Sequence, residues 1–241
     1  MVQAIEKDYY VTMLLQLLAQ KIPHIVFKGG TSLSKCHKVI CRFSEDIDIT
    51  IDEEVTQGQK KKIKQAIVDS ANELGMIVEN LVETRSRRDY NRYIITYDSV
   101  IPMESSVLRA SVLLETSYKS LFFPTVLLPV SSYIGEMMER EAPDAVGEYN
   151  LAPFEMKVQN IDRTMVDKIF AVCDYYLQGK VDKHSRHLYD IYKLLPLVSI
   201  DDNFRELVRE VRVVRAQSTV CPSALPCLLY TSPSPRDISG S

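Results

Sequence analysis

The sequence predicts an α+β fold, with strands and helices interleaved over residues 1–135 and helices alone beyond. Three observations carry this. Residues 24–51 run as a short apolar stretch, a doubled glycine, a helical stretch and a strictly alternating segment. Later segments, 57–74 first among them, place apolar residues on a helical period, and past Ser131 that period is the only one left. A chain of 241 residues with 46% hydrophobic and 25% charged side chains can bury a substantial core.

Taken in order, Ile5–Lys21 is an amphipathic helix that stops at Ile22-Pro23, because proline restricts the residue before it. His24–Lys28 is a short apolar strand leading into Gly29 and Gly30, and Thr31 or Ser32 is placed to cap a helix reaching about Ile40. From Asp46 to Ile51 the alternation puts Asp46, Asp48 and Thr50 on one face of a strand and Ile47, Ile49 and Ile51 on the other. Gln57–Leu74 is a charged helix ended by Gly75. Met76–Glu83 and Arg92–Tyr97 pair around the basic loop RSRRDYN, and Arg109–Thr116 is a further strand with Glu115 near its end. After Ser131 the helical pattern marks a subdomain boundary near Pro153. In the segment 160–180, Asp162 is the expected cap, Val166, Ile169, Phe170, Cys173 and Leu177 the buried stripe, and Gly179 the stop. In HSRHLYDIYKLLP the stripe is Leu188, Ile191, Tyr192 and Leu195, with Pro196 as terminator. Lys168 and Asp190 fall off both stripes, so packing does not ask for them.

The formal net charge of −3 carries no global signature for nucleic acid, so any polyanion site has to be local. No run of 18 apolar residues exists, and the N-terminus carries acids where a secretory signal would be basic and apolar, so no membrane partner and a cytoplasmic location are expected. The five cysteines, Cys36, Cys41, Cys173, Cys221 and Cys227, show no C-x-x-C spacing and are expected to be buried thiols, without zinc. Residues 220–241 are Pro- and Ser-rich without period, the composition of a disordered tail. Cys227–Asp237 (CLLYTSPSPRD) also matches what transposase-adapter DNA from sequencing libraries encodes. The tail is therefore expected to be an adapter artefact, and the natural chain to continue past about Val220.

Carboxylates two residues apart on one strand stand about 6–7 Å from each other, and their repulsion is about 0.6 kcal/mol in water, rising to about 2.5 kcal/mol at an effective dielectric of about 20. A divalent cation offsets this, and Mg²⁺ in particular uses one or two carboxylates together with substrate phosphates. The glycines let a triphosphate approach the backbone, and free N–H groups at a helix start favour its charge. Phosphoryl or nucleotidyl transfer uses that pairing. Each feature also has an ordinary structural reading. Glu115 is either a third metal acid or a solvated strand end; Asp190 can pair with Arg186 one turn away; Arg85, Arg87 and Arg88 read first as a solvated hairpin loop; the histidines show no ligand spacing. KGGTSLSK does not match a Walker A loop.

EKDYYVT, FKGGTSLSK, RFSEDIDI, MVDKIFAV and SRHLYDIYKL together resemble the AbiEii/AbiGii toxin family of nucleotidyltransferases, within the DNA polymerase beta-like superfamily, over about Glu6–Leu195. The resemblance implies a nucleotidyltransferase domain at 1–135, built on a mixed sheet flanked by helices, and a helical subdomain at 136–215, truncated at its end. It implies that Gly29, Gly30 and Thr31 face the nucleotide phosphates, that Ser44 flanks the site, and that Asp46 and Asp48 bind Mg²⁺. It further implies that Lys168 contacts the phosphates and that Asp190 belongs to the same catalytic set. The gap from Gly30 to Asp46 exceeds the superfamily's usual spacing, and a helix over TSLSKCHKVI would account for it. Members are toxins of toxin-antitoxin and abortive-infection systems, each with a separately encoded antitoxin. The expected function is Mg²⁺-dependent transfer of NMP from an NTP to an acceptor, with tRNA or other RNA among the acceptors the resemblance allows. The alternatives are a non-catalytic antitoxin- or nucleic-acid-binding module of the same fold, and a kinase-like use of the site that phosphorylates Ser44 or a partner.

Overall fold

The computed structural model describes residues 2–101, 108–118, 124–180, 184–218 and 221–225. They divide into two compact units, Met1–Thr164 and Met165–Ser241. The first unit is built on a seven-stranded sheet. Its elements are α1 (Val2–Lys21), β1 (Ile25–Lys28), α2 (Gly29–Lys35), β2 (Ile47–Ile51), α3 (Gln57–Glu73), β3 (Ile77–Val78), β4 (Tyr90–Thr96), β5 (Ser111–Ser117), β6 (Thr125–Val130), α4 (Tyr133–Glu141), α5 (Pro143–Glu148) and β7 (Phe154–Gln159). The strand order is β3-β4-β5-β2-β1-β7-β6. β2 runs antiparallel to β1 and parallel to β5, and β1 runs parallel to β7, so the sheet is mixed, as the sequence implied.

Alternation on β2 buries Ile47, Ile49 and Ile51, each at 3% exposure or less, against Leu14, Leu15 and Leu18 of α1 and Ile67 of α3. α3 opens with a capping box in which Thr56 and Gln59 bond reciprocally, and it closes at Gly75, whose φ of +67° is open only to a residue without a Cβ penalty. β6, to which the sequence reading gave no element, and β7, which the helical reading past Ser131 did not anticipate, pair antiparallel and close the sheet beside β1. That pairing carries the first unit beyond both the 135/136 and the Pro153 boundaries.

Two charges of α1, Lys7 and Asp8, face inward. Lys35 Nζ of α2 donates to Asp8 Oδ1 at 2.5 Å and to the Ser131 carbonyl at 3.1 Å, while Asp8 Oδ2 accepts from the Tyr133 N–H at 2.8 Å. Both side chains are about 95% buried, so one carboxylate ties α1, α2 and α4 together. Burial pulls the Lys35 pKa below its ordinary value, and the Asp8 charge opposes that pull. Lys7 pairs with Glu45 in the segment just before β2 and donates to the Arg109 carbonyl.

α2 ends at Lys35 rather than near Ile40, and Thr31 and Ser32 do not cap it. The Thr31 hydroxyl donates instead to the Asp46 carbonyl and accepts from the Ser44 hydroxyl, and Ser32 donates to the Gly29 carbonyl. The reach from Gly30 to Asp46 is thus made by a short helix followed by irregular chain. His37, just past α2, holds its Nε2 2.9 Å from the Gln159 carbonyl.

In the second unit, α6 (Ile161–Leu177, begun in the first unit), α7 (His184–Leu194) and α8 (Asp202–Arg215) carry no strand among the described residues. Asn160, not Asp162, caps α6, its Oδ1 accepting from the Asp162 N–H at 2.9 Å. Cys173 is exposed and Leu177 is 53% exposed; the inward positions are Met165, Val166, Lys168, Phe170 and Asp174. On α7, Leu188, Tyr192 and Leu195 just beyond its end are at least half exposed, whereas Asp190 and Leu194 are buried. The cause is one ion pair. Lys168 Nζ lies 2.9 Å from Asp190 Oδ2, Asp190 being fully buried, and seating that carboxylate turns its face of α7 inward in place of the apolar stripe. Asp190 is therefore no surface partner of Arg186. Asp174 accepts from Arg215 at 2.7 Å and from the Ser223 N–H and hydroxyl at 2.9 and 2.6 Å. Of the expected thiols, Cys36 is buried and pushed up to about 12 by that burial, Cys41 and Cys173 are exposed, Cys221 is intermediate, and Cys227 lies outside the described residues. Of the expected tail, 221–225 are described and contain a 3-10 turn, Pro222–Ala224; 226–241 lie outside. Among the described residues no helix is long and apolar enough to cross a membrane.

Two stability measurements test these contacts. Asp8→Ala strands a buried ammonium and is expected to cost about 3–5 kcal/mol in urea denaturation, most of which Asp8→Leu combined with Lys35→Met restores. Burial lowers the His37 pKa below 6.5, against the opposing bond to Gln159. The neutral ring therefore contributes stability that is complete above pH 6.5 and is lost as pH falls through the folded value. His37→Gln is expected to flatten the fall in melting temperature on the acid side of pH 6.5.

Candidate functional site

The site begins where β1 passes directly into α2. Gly29 has φ +81°, and a Cβ there would overlap Asp48 Oδ2 and stand 2.9 Å from Asp48 Cγ. The β1–β2 register explains the approach, because Lys28 is the cross-strand partner of Asp48 and the next residue turns back over that carboxylate. Asp48 thus faces the glycine bend. Asp46 sits two residues earlier, immediately before β2, with its carbonyl held by Thr31 Oγ1 at 2.5 Å. Thr31 Oγ1 also accepts from the Ser44 hydroxyl at 2.9 Å, so the start of α2 and the chain leading to β2 are fastened by one hydroxyl.

A Cβ on Gly30 would lie 2.6 Å from Arg42 Nη2 and 3.1 Å from Ser44 Oγ. A guanidinium therefore lies over the second glycine. On the other side of β2, Glu115 of β5 is the register partner of Asp48, and Arg92 of β4 is the partner of Glu115. Arg92 Nε stands 3.6 Å from Glu115 Oε1. Tyr90 is hydrogen-bonded to Glu115, and its pKa is raised by burial first and then by the Glu115 charge, with a smaller push from Asp48. Lys28 Nζ donates to Ser117 at 3.0 Å, two strands over and across β2.

These residues fit a divalent cation. The Asp48 carboxylate fills the space that a side chain at Gly29 would take, and with Asp46 two residues earlier it offers the oxygen donors such a cation takes. Both acids are half-buried. Among the described residues no three His, Cys, Asp or Glu side chains are gathered as a metal-ligand group. Magnesium needs no third, since it keeps waters and takes substrate phosphates beside one or two carboxylates.

The first unit therefore brings together Gly29, Gly30, Thr31, Ser44, Asp48 and Glu115, with Asp46 on the same short segment. Lys168 and Asp190 belong to the second unit, where they pair with each other. Reading the sequence missed Arg42, for which RFSEDIDI offered only an arginine of unassigned role. It also missed Lys7, Asp8 and Lys35, whose signal was present as charges on the inward period of otherwise apolar helices.

The sequence profile described as nucleotidyl transferase AbiEii toxin, type IV toxin–antitoxin system, matches residues 14–238. No curated protein matches the chain. Among solved structures, MenT4, a nucleotidyltransferase toxin from Mycobacterium tuberculosis, is similar at 18% identity and a TM-score of 0.51, over 89% of this chain. The chain spans 65% of that protein's length. At this identity the likeness is one of fold.

Gly29→Ala tests the bend. The left-handed φ alone costs about 1–2 kcal/mol, and the added methyl displaces the Asp48 carboxylate. The expected outcome is a lower urea midpoint than that of the unaltered protein; Gly30→Ala, whose φ is not left-handed and whose methyl meets the flexible end of Arg42 and the Ser44 hydroxyl, is expected to lower it less.

Proposed function

The chain belongs to the AbiEii nucleotidyl transferase toxin family of type IV toxin–antitoxin systems, and from that premise we propose that it transfers NMP from an NTP to an acceptor. The observation that carries this reading is the seating of the Asp48 carboxylate against the side-chain-free bend at Gly29. Asp46 and Asp48 would hold Mg²⁺, with Glu115 beside them in register. The ion, when bound, supplies positive charge between the acids and the transferring phosphate.

The chain's own residues do the rest. Gly29 and Gly30 let the triphosphate meet backbone N–H groups at the start of α2. Arg42, over Gly30 and beside Ser44, faces the same phosphates with a planar set of donors. Thr31 keeps the Asp46 segment and the glycine bend in one fixed relation, which limits reorganisation when charge develops. Glu115 is oriented by Arg92 and Tyr90, so its carboxylate enters the site only as far as those partners release it. For Lys168 and Asp190 the proposal rests on the family resemblance and on their pairing: Lys168 carries charge toward the nucleotide phosphates, and Asp190 holds its ammonium. As a toxin-family member the chain is proposed to work against a separate antitoxin.

Incubation with each labelled NTP, Mg²⁺ and total bacterial RNA is expected to put label on RNA; label on protein alone would favour the kinase-like alternative, and no label with a folded protein would refute transfer. Asp46→Ala and Asp48→Ala are each expected to lower the rate at least about 100-fold. Lys168→Ala is expected to do likewise, assayed well below its melting temperature because it strands the buried Asp190. Arg42→Ala is expected to act mainly through KM for NTP, raising it about tenfold, the share of one charge-assisted contact.

A further inference from the structure

The basic loop that the sequence left as solvated hairpin is a built surface. Gln57–Lys64 carries Lys60, Lys61, Lys62 and Lys64 and no acid, and Arg85–Arg92 carries four arginines against Asp89 alone, in a chain of net charge −3. The fold brings the two segments together. Gln57 Nε2 donates to the Arg87 carbonyl at 3.4 Å, Lys60 pairs with Asp89 at 2.6 Å, and Lys64 donates to the carbonyls of Leu81 and Thr84 at 3.1 and 2.5 Å. The buried Asn91 clamps the loop, its amide bonding both the N–H and the carbonyl of Arg85 at 2.9 and 3.1 Å. Asp89, the one acid of the two segments, is thereby engaged by Lys60, while Lys61, Lys62, Arg85, Arg87 and Arg88 stay exposed.

Folding accounts for Lys60 and Lys64 by these bonds, but not for the exposed Lys61, Lys62, Arg85 and Arg87 around them. Lysines in the first two turns of α3 sit at the positive end of its macrodipole, with no acid in the first turn, and Lys60 and Lys64 repel at i,i+4. A polyanion would offset both. The patch also leads somewhere: Arg92 pairs in register with Glu115, and Glu115 with Asp48, so two strand spacings, about 10 Å, separate its edge from the acidic site. Tyr90, 52% exposed, stands on that path with a ring face suited to stacking on a base.

We propose that the start of α3 and the 85–92 hairpin bind the phosphodiester backbone of a nucleic-acid strand and lead its end toward Asp48. The surface rests on the transferase reading only for its destination. A strand fits better than an acidic polypeptide because Tyr90 and Arg92, two residues apart on β4, share the sheet face of Glu115 and Asp48, which puts a ring suited to stacking on a base beside a charge suited to phosphate.

The test is fluorescence anisotropy of a labelled RNA oligonucleotide and a DNA of the same sequence across a salt series. Lys61→Gln, Lys62→Gln, Arg87→Gln and Arg88→Gln combined is compared with the unaltered chain and with Arg205→Gln plus Arg209→Gln on α8 as a control. All four sites are exposed, so the melting temperature is expected to stay within about 2 °C. The expected result is at least tenfold weaker binding of the strand, a salt slope smaller by about 3 at about 0.7 per lost contact, and undiminished binding of a fluorescent NTP. The control keeps wild-type affinity and slope, and the RNA and DNA arms tell which strand the surface takes. Unchanged affinity and slope in the fourfold variant would overturn the surface, as would tighter binding of polyglutamate than of either strand. If strand binding is lost as expected but the unaltered protein labels no RNA, the surface stands and the transferase reading falls; if the variant binds strands normally while the unaltered protein transfers label, the reverse holds.

Discussion

The absence of a side chain at Gly29 is the constraint on which the first unit turns. β1 and β2 are antiparallel, so the residue after Lys28 has to pass over the partner of Lys28, which is Asp48. A carboxylate at that point and a Cβ above it are mutually exclusive. The chain resolves the conflict with a left-handed glycine, and α2 starts at that same turn. The carboxylate and the start of α2 are thus brought together by one steric solution rather than by two separate features that happen to be close.

That solution is held from behind by charge. Lys35 belongs to α2, Asp8 to α1, and the bonds from Ser131 and Tyr133 complete the set, so α2 cannot slide without exposing a buried ion to an unpaired state. Lys7, one residue earlier on α1, holds Glu45, and Thr31 holds the Asp46 carbonyl. The acids of the site are therefore fixed through their backbone and their neighbours. A buried ion pair contributes little net stability against an apolar equivalent, and its usefulness here lies in the register it enforces between α1 and α2.

Much of this was legible in the residues. The alternation of Ile47, Ile49 and Ile51 with Asp46 and Asp48 stated both the strand and its two faces, and Gly29-Gly30 stated the turn. What misled were places where a polar group found a better partner than local rules supply. Thr31 looked like a cap because hydroxyls at helix starts usually accept from the backbone, but the Asp46 carbonyl, 15 residues on, lay within its reach. The stripe through Leu188, Tyr192 and Leu195 followed apolar periodicity correctly, yet the pairing of Asp190 with Lys168 set the inward face of α7. β6 and β7 were missed because TVLLPV contains a proline that edge strands tolerate and FEMKVQ alternates too weakly to stand out from helix. Arg42 was invisible in principle, since its position over Gly30 depends on an irregular stretch no period describes.

The order of strands also sets when the site can exist. β1 and β2 emerge early in synthesis, but each is completed by a parallel neighbour encoded much later, β5 at 111–117 and β7 at 154–159. At about 5–20 residues per second, β7 leaves the ribosome several seconds or more after β2, and non-local parallel pairing then adds its own delay. A nascent chain therefore carries its acids for a long interval before the sheet that aligns them is closed.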